Sequence, residues 1–151
     1  IANSSMSERL NVLHDFYEQW QKEPLVINKW LAVQARSQLP GTFKEVQKLL
    51  QHPAFNIENP NNVRAVIGTF AMRNPLHFHA ENGEGYQFFT DQILKIDQFN
   101  SQIAARLLPT MTRWKKFELK QQMLMKKQLE RIVNSASISA DVYEVASKAL
   151  V

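Results

Sequence analysis

The chain has 151 residues, no cysteine, 44% hydrophobic and 21% charged residues, and a net charge of +4. That mix suits one compact domain with a buried core, and it excludes a disordered chain, disulfides and thiolate metal sites. No apolar run reaches the ~18 residues of a membrane span, and no basic segment followed by an apolar run marks a signal peptide, so a cytoplasmic protein is expected.

Residues 1–5 read as a lead-in, and Ser7 is placed to cap a first helix through its hydroxyl. Leu10, Leu13, Tyr17 and Trp20 then follow at helical spacing, with Phe16 widening the face. Pro24 ends this helix and opens the next, 25–36, which carries Val26, Trp30 and Val33 on one side. Pro40-Gly41 predicts a turn. Thr42 is expected to cap helix 43–51, whose buried side is Phe43, Val46, Leu49 and Leu50. Asn59-Pro60 starts helix 61–73, with Val63, Val66, Ile67 and Phe70 at i, i+3, i+4 and i+7. Asn74-Pro75 starts a short helix ending near His79. In the loop 80–85, Gly83 and Gly85 both permit positive φ. Helix 86–98 buries Phe88, Phe89, Ile93 and Ile96. Asn100 and Ser101 are candidate caps for helix 102–115, which Pro109 should bend. Helix 117–133 is long and basic. Ser139 caps a last helix, 140–150, with Val142, Tyr143, Ala146 and Leu150 inward.

No segment alternates with period two, so the expected class is all-α, with about eight helices. Helix pairs begin near residues 7, 42, 85 and 117, close to the ~40-residue period of HEAT and armadillo units. The spacing favours an α-solenoid and leaves an irregular helical bundle open.

The residues offer no autonomous chemistry. His77 and His79 stand two apart, which on a helix sends them to opposite sides. Glu81 is the nearest third ligand, and no His-Glu-x-x-His string exists. These histidines are read as packing or loop-anchoring groups, and no metal site is assigned. There is no Gly-x-Ser-x-Gly elbow and no glycine-rich phosphate loop. The window 98–134 holds eight basic residues against Glu118 and Glu130, with Trp114 and Phe117 among them. Such a mixture can grip a single strand or meet a membrane. A solvated helix face is the simpler account, and neither nucleic acid nor membrane is expected as a partner. Arg64 and Arg106 are single cations on largely apolar helices, so structural ion pairs or capping contacts explain them on residue grounds alone.

The stretch 59–86, Asn-Pro-Asn-Asn-Val-Arg-Ala-Val-Ile-Gly through Asn74-Pro75-Leu76-His77-Phe78-His79-Ala80-Glu81 to Gly85-Tyr86, is particular enough to carry a resemblance. It continues through Ser101-Gln102-Ile103-Ala104-Ala105-Arg106-Leu107-Leu108 and ends at Ser139-Ala140-Asp141-Val142-Tyr143-Glu144 with Ala149-Leu150. Together these resemble the closing region of the bacterial aminopeptidase N family, zinc-dependent gluzincin peptidases. The resemblance implies a right-handed superhelix of antiparallel helix pairs. It implies that residues 1–151 form a single helical domain, part of a larger C-terminal one, with an apolar stacking face near the first helix. It also implies a parent enzyme that removes N-terminal residues from peptides, with zinc held by two histidines and a glutamate that lie elsewhere. Partners would be the catalytic and N-terminal domains of the same polypeptide, and peptide substrates. By the resemblance, Arg64, Gln102 and Arg106 line the substrate cavity that this domain closes, and His79-Ala80-Glu81 is a structural loop. A stand-alone helical-repeat scaffold is the alternative.

Overall fold

The computed structural model describes residues 6–151, so the expected lead-in 1–5 lies outside the described residues. Among these the structure is helical throughout, with no strand. The segments are α1 (Met6–Trp20), α2 (Pro24–Ala35), α3 (Thr42–Leu49), α4 (Pro60–Val63), α5 (Thr69–Arg73) and α6 (Pro75–Phe78). They continue as α7 (Glu84–Asp97), α8 (Ser101–Leu107), α9 (Pro109–Thr112), α10 (Leu119–Val133) and α11 (Ala140–Leu150). A π-helical segment, Arg64–Gly68, joins α4 to α5, and a 3₁₀ turn, Trp114–Lys116, follows α9. The chain divides into two compact units, 1–77 and 78–151.

In the first unit α2 is the central element. It packs on α1, on α3 and on the helical run 60–73. Its buried side is Ile27, Trp30, Leu31, Gln34 and Ala35. The expected face of Val26, Trp30 and Val33 is therefore rotated. Val26 and Val33 are half-buried because α2 has neighbours on more than one side. The Trp30 indole donates to the Leu13 carbonyl at 2.9 Å, tying α2 to α1. Tyr17 stacks on Trp30, and the His52 ring meets both.

Of the expected α1 face, Leu13 is buried and Tyr17 half-buried, while Leu10 and Trp20 are exposed together with Val12 and Phe16. This leaves an apolar groove of about 200 Å³ along Val12, Phe16, Trp30 and Val33. Ser7 lies inside α1 and not at its cap. Thr42 is likewise the first residue of α3. Gly41, at φ 84°, holds the cap position, and the Thr42 hydroxyl turns back to donate to Leu39 O at 2.6 Å. Phe43 and Leu50 are half-buried, and Val46 and Leu49 fully so.

Both Asn-Pro starts hold. Asn59 Oδ1 accepts from the Asn61 and Asn62 amides at 2.9 and 3.4 Å. Asn74 Oδ1 accepts from His77 N at 3.3 Å. Asn74 does more than cap: its Nδ2 donates to both Ala35 O and Ser37 O at 2.9 Å, pinning the end of α2.

In the second unit α7 packs with α8 and α10, and α11 packs with α8, α9 and α10. Two helical hairpins thus lie side by side. Tyr86, Phe89 and Ile93 of α7 and Met125, Leu129 and Ile132 of α10 are fully buried. Gly83 takes φ 78° before α7, as expected, whereas Gly85 sits in the first turn of the helix with ordinary φ. Asn100 caps α8, accepting from Ile103 N at 3.1 Å, and Ser101 becomes the first helical residue. Pro109 divides the expected helix 102–115 into α8 and α9, since its ring nitrogen has no proton to continue the ladder.

Ser139 caps α11 through Val142 N, and the Asp97 carboxylate takes both the Ser139 amide (2.8 Å) and hydroxyl (2.5 Å). Ser101 in turn donates to Asp141 at 2.7 Å. The junction of α7 and α8 is thereby latched to the start of α11 at two points. Val142 and Ala146 are buried. Tyr143, expected inward, is 49% exposed, and Leu150 is half-buried. No helix among the described residues is long and apolar enough to cross a membrane.

Candidate functional site

Arg64 is the last polar residue of the Asn59-capped start and opens the π-helical segment. It is exposed, while its neighbours Val63, Ala65, Val66 and Ile67 are buried. The guanidinium bonds only Asn61 Oδ1, at 3.3 Å, and forms no ion pair among the described residues. Its carbonyl is held twice, by the Thr69 amide and by the Thr69 hydroxyl at 3.3 Å.

Gln102 and Arg106 belong to the second unit, one helical turn apart on α8. Both are exposed, opposite the buried Ile103, Ala104 and Leu107. The structure brings this pair onto one face, as i and i+4 positions must be. Neither Arg64 nor Arg106 has a carboxylate partner in an ion pair among the described residues. An exposed guanidinium without a local acid keeps its fork of donors for a carbonyl or carboxylate brought from elsewhere.

The two histidines go separate ways. His77 is half-buried beside Asn74. The His79 ring packs at a tilt on Phe117, 4.7 Å between centroids, meets Phe78 edge-on, and bonds the Tyr86 hydroxyl through Nδ1 at 2.5 Å. Burial lowers the His79 pKa and raises that of Tyr86 to about 12, so the hydrogen bond joins two uncharged groups at neutral pH. His79 is thus a loop anchor, in keeping with the sequence reading. Glu81 points into solvent, with Lys120 at 4.0 Å. Among the described residues no group of three or more His, Cys, Asp or Glu side chains could hold a metal ion, so the residues present do not fit a zinc site.

The aromatic–basic window is also resolved. The Trp114 indole is buried and donates to Ala149 O at 2.9 Å, and Phe117 packs on His79. Neither ring is presented for stacking. Lys120, Lys126 and Arg131 face Glu81, Glu130 and Asp91 across exposed ion pairs.

Sequence reasoning missed the π-helical segment, the roles of Asn61 and Thr69, and the pinning of α2 by Asn74. The run of four buried residues from Ala65 to Gly68 is the one trace of the π segment that a pattern search could detect. Such a run does not fit a single stripe of period 3.6.

Packed helices joined by turns and short loops, with no strand among the described residues, define an all-α protein of the repeat-solenoid class. The chain belongs to the DUF3458_C family, described as a domain of unknown function with ARM repeats, which matches residues 1–151. Its relatives are named aminopeptidase N. The Caulobacter vibrioides protein is 46% identical over 94% of this chain, and those of Haemophilus influenzae and Escherichia coli are 40% and 37% identical over 92%. A crystal structure of Legionella pneumophila aminopeptidase A in complex with aspartic acid superposes with a TM-score of 0.90 at 37% identity, over 95% of this chain and 17% of that one. The chain spans 16% of the length of the curated relatives it matches. The resemblance to the aminopeptidase N family is borne out, and none of these relatives favours a stand-alone scaffold.

Proposed function

We propose that this chain is the non-catalytic, C-terminal helical part of a zinc metallo-aminopeptidase, a single helical domain within a larger one. It closes the substrate cavity and limits which peptides enter. The single observation that carries this reading is the match to aminopeptidases over more than nine-tenths of the chain at 37–46% identity. The zinc and the groups that activate water belong to the rest of the polypeptide, which is also the chain's main partner. Peptides are the substrates, and a cytoplasmic location accompanies the reading.

Arg64, Gln102 and Arg106 are the proposed cavity-facing residues. Their exposure, and the fact that neither arginine forms an ion pair among the described residues, support that role. Each guanidinium would hold a peptide carbonyl or carboxylate beyond the scissile bond, which helps through positioning.

The test is the full-length enzyme carrying Arg64→Ala or Arg106→Ala. Loss of a charge-assisted hydrogen bond should cost about 1.5–3 kcal/mol of transition-state binding for a tripeptide, roughly tenfold to hundredfold in kcat/KM. A single-residue arylamide, with no extended leaving side, should lose much less. Zinc content and Tm should match the parent. Equal losses on both substrates with a lower Tm would point to structural arginines instead.

A further inference from the structure

The helical run 60–73 carries a register change. In a continuous α-helix the positions stacked on Arg64 are 67 and 68, yet Ile67 and Gly68 are buried. The π-helical segment takes up one extra residue, which turns the helix by about 100°. Thr69 therefore lies over Arg64, its amide bonding the Arg64 carbonyl five residues back. The exposed stripe then runs Asn61, Arg64, half-buried Thr69 and exposed Arg73 along one side of the run. Ile67, Phe70 and Ala71 stay inside. Without the extra residue, either Arg64 or the core positions after it would face the wrong way.

Two side chains fix Arg64 within this stripe. Asn61 Oδ1 accepts from its Nη1 at 3.3 Å, and the Thr69 hydroxyl donates to its carbonyl at 3.3 Å. The first bond is long and its acceptor is uncharged, so it orients the guanidinium without neutralising it. A carboxylate at 61 would form an ion pair and occupy the same donors. Asn61 is itself exposed and sits in the first turn of α4, where a negative charge is favourable.

We infer that the π segment, with Asn61 and Thr69 as positioning residues, presents Arg64 to the C-terminal carboxylate of a short peptide substrate. This rests on the proposed cavity-facing role of Arg64 and adds the group it reads and the groups that aim it. The neighbouring Arg73 leaves the stripe with no acid of its own, which suits an anion.

The experiment uses the full-length enzyme and a matched pair of tripeptides, one with a free C-terminal carboxylate and one amidated. The parent should favour the free acid through a lower KM. Arg64→Ala should abolish that preference. Asn61→Asp should cut kcat/KM for the free acid by about tenfold, mainly in KM, with little change for the amide and an unchanged or higher Tm. Thr69→Val should weaken the preference, and Thr69→Ser should restore it.

If Arg64→Ala leaves tripeptide turnover at the parent level, the cavity-facing reading itself fails. If Arg64→Ala impairs turnover but both tripeptides suffer equally, the carboxylate assignment is wrong. If Arg64→Ala removes the preference while Asn61→Asp and Thr69→Val behave as the parent, the positioning roles are overturned and the arginine's role stands. A purely structural Asn61 would move Tm and leave the free-acid preference untouched.

Discussion

Replacing Asn74 should destabilise the chain well beyond the loss of a helix cap. The side chain is 1% exposed and makes three hydrogen bonds. Its amide orientation follows from its partners, two carbonyls on one side and an N–H on the other. Alanine removes the cap on His77 N, worth about 1 kcal/mol. It also takes the amide donor away from the carbonyls of Ala35 and Ser37, both in fully buried residues at the end of α2. Each of these lost hydrogen bonds costs about 1 kcal/mol. The sum is about 3 kcal/mol, or roughly 6–12 °C in Tm for a chain of this size. Urea denaturation followed by far-UV circular dichroism measures it. Asn74→Asp sharpens the test, because aspartate caps helices as well as asparagine does. Here it would set an anion against two carbonyl oxygens and should be at least as damaging as alanine. If aspartate is tolerated, Asn74 is a cap and nothing more, and the pinning of α2 is wrong.

Three further outcomes follow from the same contacts. Gly83→Ala should cost about 1–2 kcal/mol, since φ 78° suits only glycine and a Cβ would come within 3.0 Å of the Leu124 side chain; a denaturation midpoint equal to the parent's would show that the loop relaxes freely. Asp97→Asn should cost about 1.5–3 kcal/mol by weakening a charge-assisted latch on Ser139, and faster amide exchange at the start of α11 should accompany it; unaltered exchange there would refute the latch. Stability should fall on acidification. His52 and His79 are held below the ordinary value of 6.5, His52 by burial and then by nearby His14, His79 by burial. The unfolded chain therefore takes up protons first. The contribution is complete above about pH 6.5 and is lost as pH drops from there through the lower folded values. A flat midpoint between pH 7.5 and 5 would contradict it, and His79→Gln should remove part of the slope.

The helices were legible because their signals are local. Asn59, Asn74, Asn100 and Ser139 cap where the sequence places them, and the Val63, Val66, Ile67, Phe70 face is buried as its spacing predicts. The failures share one cause. Ser7 and Thr42 have the chemistry of caps, but a helix begins where its first turn finds support, and here that is one or more residues earlier. Val26, Val33 and Tyr143 are apolar enough to be buried, yet which apolar side turns inward depends on how many neighbours a helix has. α2 meets several elements, and its stripe broadens toward Ile27, Leu31 and Gln34. Periodicity carries no information on that number.

The site was legible in a different way. Nothing in the composition or spacing distinguishes Arg64 from an arginine in a surface ion pair; a resemblance supplied the role proposed for it. The structure contributes a physical constraint that neither source contains. A π-helical segment forgoes regular i to i−4 bonding and persists only where packing favours it. Here Ile67, Phe70 and Ala71 all stay buried across the irregularity while Arg64 stays out. Burying those residues in an uninterrupted helix would place Arg64 on the side of the buried Ile67 and Gly68, where its charge would meet the interior without a partner. The irregularity therefore satisfies two demands at once, a continuous core and an exposed cation.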